Sequence, residues 1–154
     1  MKSNTSQTIP EHKLAKLPCH SPLLMPDERI AMEHHYAYKL WNTGVMEIQC
    51  YCGTQTAVTI PDTIAGHSVT WLGEEAFRKN RSLTQVVIPN SVTAIGFRTF
   101  EGCENLKLLF IPGSVESMWA NAFQGCPNLT VLTEPGSYAE SFCRKEGIPF
   151  LLIQ

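Results

Sequence analysis

The chain of 154 residues has no apolar run of about 18 residues, the least a membrane-crossing helix needs, so no membrane span is expected. It lacks an excess of either charge. Twelve basic residues stand against 14 acidic ones, a formal net charge of −2, which argues against an electrostatic nucleic-acid footprint. The one basic run, Arg78-Lys79-Asn80-Arg81, reads as a solvated loop. No Gly-rich phosphate loop and no nucleophile elbow is present. Glu74 and Glu75 are adjacent, and adjacent carboxylates on a helical turn diverge rather than converge. There is also no CxxC. Cys50 and Cys52 would share one face of a strand, near His34 and His35 in sequence, but paired ligand spacing is missing and no metal is expected. These absences predict a chain without catalytic residues and without a cofactor.

What the chain does have is repetition. Ile-Pro recurs at Ile88-Pro89 and Ile111-Pro112, 23 residues apart, with an upstream copy at Ile60-Pro61 and a degenerate one at Glu134-Pro135. Apolar columns keep that spacing: Val69, Val92 and Val115; Leu72, Ile95 and Met118; Phe77, Phe100 and Phe123; Leu83, Leu106 and Leu129; Val86, Leu109 and Leu132. The gap from Pro61 to Pro89 is 28, because the segment from Asp62 to Ser68 inserts five residues as a loop. A period of 23 falls in the range of one strand plus a helical or irregular turn per unit. One such unit cannot bury its own apolar side, whereas a stack of units builds a continuous core. Pro after each strand lacks a donor and ends the pairing there. "GEEAF", "GFRTF" and "NAFQG" read as one-turn helical pieces pinned by their Phe.

At "IPNSVTAIGFRTFEGCENL" and "IPGSVESMWANAFQGCPNL", with "VTWLGEEAFRKNRSL" as a partial copy, the chain resembles the BspA-like, treponemal-type leucine-rich repeat family over about residues 36 to 150. The resemblance implies an α/β repeat solenoid, a short right-handed stack used for binding on microbial surfaces and not for catalysis. Two departures from the pattern predict a distorted turn in the third unit. Trp119 stands where Gly73 and Gly96 stand, and Arg78-Lys79-Asn80 replaces Glu-Gly-Cys.

The expected organisation is a Pro-rich, partly mobile arm over residues 1–33 and a repeat domain over 34–154. Within the domain, residues 36–58 form a capping β-hairpin around Asn42-Thr43-Gly44, about 59–135 hold roughly three full turns, and 136–154 form a C-terminal cap. Ser137 and Glu140 make a capping box for a helix from about Tyr138 to Glu146, stopped by Gly147 and Pro149. Tyr138, Phe142 and Cys143 would close the last repeat. Cys103 and Cys126 occupy one column about 5 Å apart, inside disulfide range, yet their equivalence to a family column favours buried thiols. Core thiols are likewise expected at Cys50 and Cys52. The sequons at Asn80 and Asn128 matter only in a glycosylating compartment. The family implies the cell surface or secretion, but no signal-peptide apolar region is visible. The chain as it stands reads as cytoplasmic, as exported by another route, or as lacking its natural start.

If Val86 and Ile88 are buried, the period of two turns their neighbours outward. That predicts an exposed strand face of Gln85, Val87, Leu108, Phe110, Val131 and Thr133, with Thr59 in the first layer. Such an apolar outward ladder has three readings. It recognises another protein; it is covered by the arm's "LAKL" and "PLLM"; or it is an incidental patch or a dimer surface. Trp71 and Trp119 lie outside the buried columns and are secondary contact candidates. The expected function is a non-enzymatic protein-binding module, the alternative a structural or self-associating one. Partners are then proteins or a second copy.

Overall fold

The computed structural model describes residues 31–33 and 35–154. The arm before residue 31, His34 and any cover the arm gives the strand face lie outside the described residues. In chain order the elements are β1 (Ala31–Glu33), β2 (Tyr36–Leu40), β3 (Met46–Tyr51), β4 (Ala57–Thr59), β5 (Thr63–Ile64), β6 (His67–Leu72), β7 (Gln85–Val87), β8 (Ala94–Ile95), β9 (Leu108–Ile111), β10 (Ser117–Met118), β11 (Thr130–Thr133), α1 (Tyr138–Glu146) and β12 (Phe150–Leu152).

The chain alternates between two sheets, as a solenoid must. One runs β1-β2-β3-β6-β8-β10 with β5 beside β6, and the other runs β4-β7-β9-β11-β12. All pairs in the second sheet are parallel. Its five strands make five layers rather than the three full turns read from the period, because β4 and β12 add layers that carry no complete repeat. Each strand is short because its flanks are committed: Pro89 and Pro112 follow β7 and β9 with no donor to offer.

The antiparallel pair β2–β3 forms the expected hairpin, closed by the 2.9 Å bonds Trp41 N–H to Val45 O and Gly44 N–H to Trp41 O. It docks through β3, which runs parallel to β6 with Met46 opposite Val69 and Ile48 opposite Leu72. The five-residue insertion is itself a tight hairpin. β5 pairs antiparallel with β6, and the turn residues Ala65 (φ 51°) and Gly66 (φ 78°) both take left-handed backbone, the hallmark of a type I′ turn.

The expected one-turn helices are not helices. Their segments are successive four-residue turns, such as Ala76 N–H to Gly73 O and Arg78 N–H to Glu75 O. Their remaining donors reach the adjacent layer: Phe77 N–H bonds to Thr99 O and Phe100 N–H to Ala122 O, each at 2.8 Å. A helix would satisfy these groups within itself and leave the layers unlinked there. The Trp119 turn keeps the pattern, with Ala122 N–H on Trp119 O at 2.9 Å. Its change is local: Glu75 and Arg98 have positive φ, whereas Asn121 at the same place does not. Lys79 holds φ 56° where Gly102 and Gly125 hold 71° and 75°, so the Glu-Gly-Cys departure keeps the turn's shape at a cost in strain.

Inside, the Phe column becomes an aromatic spine. Ring centroids step from Tyr36 to Tyr51 (5.0 Å), Phe77 (5.4 Å), Phe100 (4.9 Å), Phe123 (5.8 Å) and Phe142 (6.2 Å), joining the hairpin to α1. Each buried ring contributes about 1.5–3 kcal/mol by leaving water. Helix α1 spans the expected residues, with Glu140 N–H on Ser137 Oγ (3.1 Å) and left-handed Gly147 ending it. The reciprocal bond of the capping box goes one residue upstream, from Gly136 N–H to Glu140 Oε2 (2.7 Å). Ala139, Phe142 and Cys143 face the core, while Tyr138 is 41% exposed, one position off the expected face.

Candidate functional site

The parallel sheet fixes which residues share its outer face. Thr59, Val87, Phe110, Leu132 and Leu151 are paired in one row, and Ala57, Gln85, Leu108 and Thr130 in the next. Val58, Val86, Leu109 and Val131 form the row between them and point inward. Gln85 and Leu108 are exposed, Leu108 at 37%, while Val87, Phe110 and Leu132 are half-buried and Leu151 is 59% exposed.

Val131 and Thr133 are therefore misplaced by the sequence reading. Both are fully buried, and Leu132 is the outward residue. From Leu106 the inward strand residue is three positions on, at Leu109, but from Leu129 it is only two, at Val131. Glu134 before Pro135 then restores the repeat of 23. A one-residue slip exchanges the faces of a strand. Thr133 tolerates burial because its hydroxyl is satisfied, lying 2.8 Å from Ile111 O and 2.9 Å from Ser137 Oγ. Gln85, Val87, Leu108 and Phe110 stand where expected, and Leu132 and Leu151 were missed. The count from Leu129 to Pro135 carries the signal for Leu132. Leu151 has none, because β12 lies past the last repeat.

Trp71 and Trp119 belong to the other sheet's side and are not brought together with this row. Trp71 lies in β6, half-buried, its ring stacked on Trp41 at 6.4 Å. Trp41 in turn carries the Lys39 ammonium 3.6 Å above it and donates from Nε1 to Glu47 Oε2 (2.8 Å). Trp119 is 61% exposed and meets Phe97 edge-on at 6.5 Å, with the Arg98 guanidinium over the Phe97 ring.

Charge and polar chemistry on the turns is structural. Glu75 is held by Arg78 (3.3 Å) and Arg98 (3.9 Å), and Arg78 also pairs with Glu101, so Glu75 and Glu74 form no carboxylate pair. Asn80 Oδ1 accepts from Ser82 and Leu83 N–H, and Asn128 Nδ2 donates to Glu104 O, so both sequon side chains serve the turns. Cys103 and Cys126 are thiols that donate to Phe77 O and Phe100 O, each at 3.0 Å, in the same way one repeat apart. Cys52 is also a thiol, whereas Cys50 is disulfide-bonded, which overturns its reading as a core thiol. Burial pushes Cys52 and Cys143 up to about 11. Among the described residues no group of three or more potential ligands could hold a metal ion, and no helix is long and apolar enough to cross a membrane.

Residues 46–142 match the sequence model of the BspA type leucine-rich repeat region, in six copies. No match is found among curated proteins. Among solved structures, the chain is similar to a leucine-rich cell surface protein from Faecalibacterium prausnitzii, with 28% identity and a TM-score of 0.62 over 66% of this chain and 29% of that one. It is also similar to a leucine-rich repeat protein from Bacteroides capillosus, with 26% identity and a TM-score of 0.51 over 68% of this chain and 98% of that one. The chain thus spans under a third of the first protein and nearly all of the second.

Proposed function

Because the chain belongs to the BspA-type leucine-rich repeat family, we propose that it is a non-enzymatic protein-recognition module whose contact surface is the outer face of the five-stranded sheet. One observation supports this most. The outward row Val87, Phe110, Leu132 and Leu151, with Leu108 beside it, is apolar across four adjacent strands. A solvated outer row has no need of four large apolar side chains, and contiguous apolar patches mark contact surfaces. Phe110 sits midway along the row, where a buried aromatic anchor contributes most to an interface. By analogy with the Faecalibacterium prausnitzii protein, which is described as a cell surface protein, the partner is encountered at the cell exterior.

The test is capture from surface extracts by immobilised wild type beside Leu108→Asp/Phe110→Asp. The expected result is a protein retained by wild type and lost by the variant at closely similar melting temperature. Equal capture by both would overturn the strand face as the site. Self-association is the second reading, favoured by the exposed run Leu151, Leu152 and Ile153 at the sheet's last strand. Light scattering separates the two, since a dimer that Leu151→Asp dissolves supports self-association.

A further inference from the structure

Cys103 and Cys126 lie on successive layers where the backbone is packed as closely as it can be. A Cβ placed on Gly125 would meet Gly102 N and Cα at 3.3 Å, and Gly102 N–H bonds to Gln124 O at 2.8 Å. Layers this close set the Cα atoms of the next residues, the two cysteines, roughly 5 Å apart, inside the disulfide window of about 4.4–6.8 Å. Both side chains lean toward the preceding layer, Cys103 Sγ lying 3.0 Å from Phe77 O. Cys126 Sγ sits 3.0 Å from Phe100 O, and that same oxygen accepts from Cys103 N–H at 3.2 Å, so Cys126 Sγ reaches down into the layer of Cys103. Access is asymmetric: Cys103 is fully buried, while Cys126 is half-buried and lines an open depression with Glu104, Phe123 and Pro127.

We propose that Cys126 and Cys103 form a dithiol modification site that reacts with low-molecular-weight disulfides, Cys126 as the attacking thiol and Cys103 as the resolving one. Cys126 Sγ, as thiolate, forms a bond to one sulfur of the disulfide, and the other sulfur leaves as a thiolate. Cys103 then gives up its proton and its sulfur bonds to Cys126 Sγ, displacing the second thiolate. The two protons from the cysteines end on the two released thiols. The pair is oxidised by two electrons and the small disulfide is reduced by two, so no other reactant is needed. The acidities of the two thiols divide the roles the same way. The interaction between the two thiols holds the Cys126 thiol below its ordinary value and pushes Cys103 up. Burial raises Cys52 and Cys143 instead.

The full chain, isolated with both residues as thiols, is incubated with oxidised glutathione and mapped by peptide mass spectrometry. In wild type the expected product is a Cys103–Cys126 cross-link without retained glutathione, with circular dichroism unchanged and melting raised by several degrees. In Cys103→Ala the expected product is glutathione held on Cys126. Two results in wild type alone overturn the site, so they stand even if Cys103→Ala fails to fold: glutathione remaining on Cys126, or Cys126 unmodified while the chain is folded. A cross-link that forms only in denaturant also overturns it.

Discussion

The inner and outer rows of the five-stranded sheet are made of similar residues and do opposite things. Val58, Val86, Leu109 and Val131 point inward and are essentially without solvent contact, while Val87, Phe110, Leu132 and Leu151, one position away, stay partly or largely open. A stack of layers needs only the inner row to be apolar. The inner row therefore explains why the chain folds, and the outer row is left over for the proposed recognition. Along the strand, stability and the proposed function are separated by one residue.

The largest break in that separation comes from two neighbouring charges. Val131→Asp should cost at least about 3 kcal/mol and unfold much of the stack, because it buries a carboxylate without a partner. Leu132→Asp should cost about 1 kcal/mol or less while abolishing capture of a partner; paired denaturant melts of the two variants test this. Equal destabilisation would mean that Leu132 is an inner residue and the register is wrong. Next in size is the spine: Phe100→Ala should lose about 3–5 kcal/mol, because its ring touches those of Phe77 and Phe123 and the cavity cannot collapse between fixed layers. Ser137→Ala should cost about 1 kcal/mol by thermal melting, since it removes the α1 cap and a partner of buried Thr133. The smallest effect is a gain. Lys79→Gly should stabilise by roughly 0.5 kcal/mol, the strain relieved at φ 56° exceeding the added chain entropy.

The sequence carried the stack well, and the reason is physical. Columns such as Phe77, Phe100 and Phe123 recur because each layer fills the same space, so period alone locates the core. The two caps were legible from Asn42-Thr43-Gly44 and from Ser137 with Glu140, whose side chains and backbone make local bonds. The part of the candidate face on β7 and β9 was legible for a weaker reason, alternation along those strands. It failed at β11, where the columns of Leu and Pro stay in phase while the strand between them slips by one. Leu151 could not be seen, because β12 pairs with β11 through backbone groups after the helix and follows no repeat. The second strand of each turn, β8 or β10, was hidden by its length of two residues. The link between successive turns was hidden as well, because those bonds join backbone groups and leave no mark on residue type.

The slip at β11 also says something about how such chains can be altered. Shortening the approach to a strand by one residue and lengthening its exit by one leaves every later layer in register, so the fold records only the net count between prolines. Side-chain identity on the outer face can thus be replaced wholesale by a matched deletion and insertion, without a single substitution in the strand itself. In this chain the phase of β11 places Leu132 at the surface and Thr133 inside. A repeat scaffold can exchange one recognition surface for another by re-phasing a strand, a cheaper step than rebuilding it residue by residue.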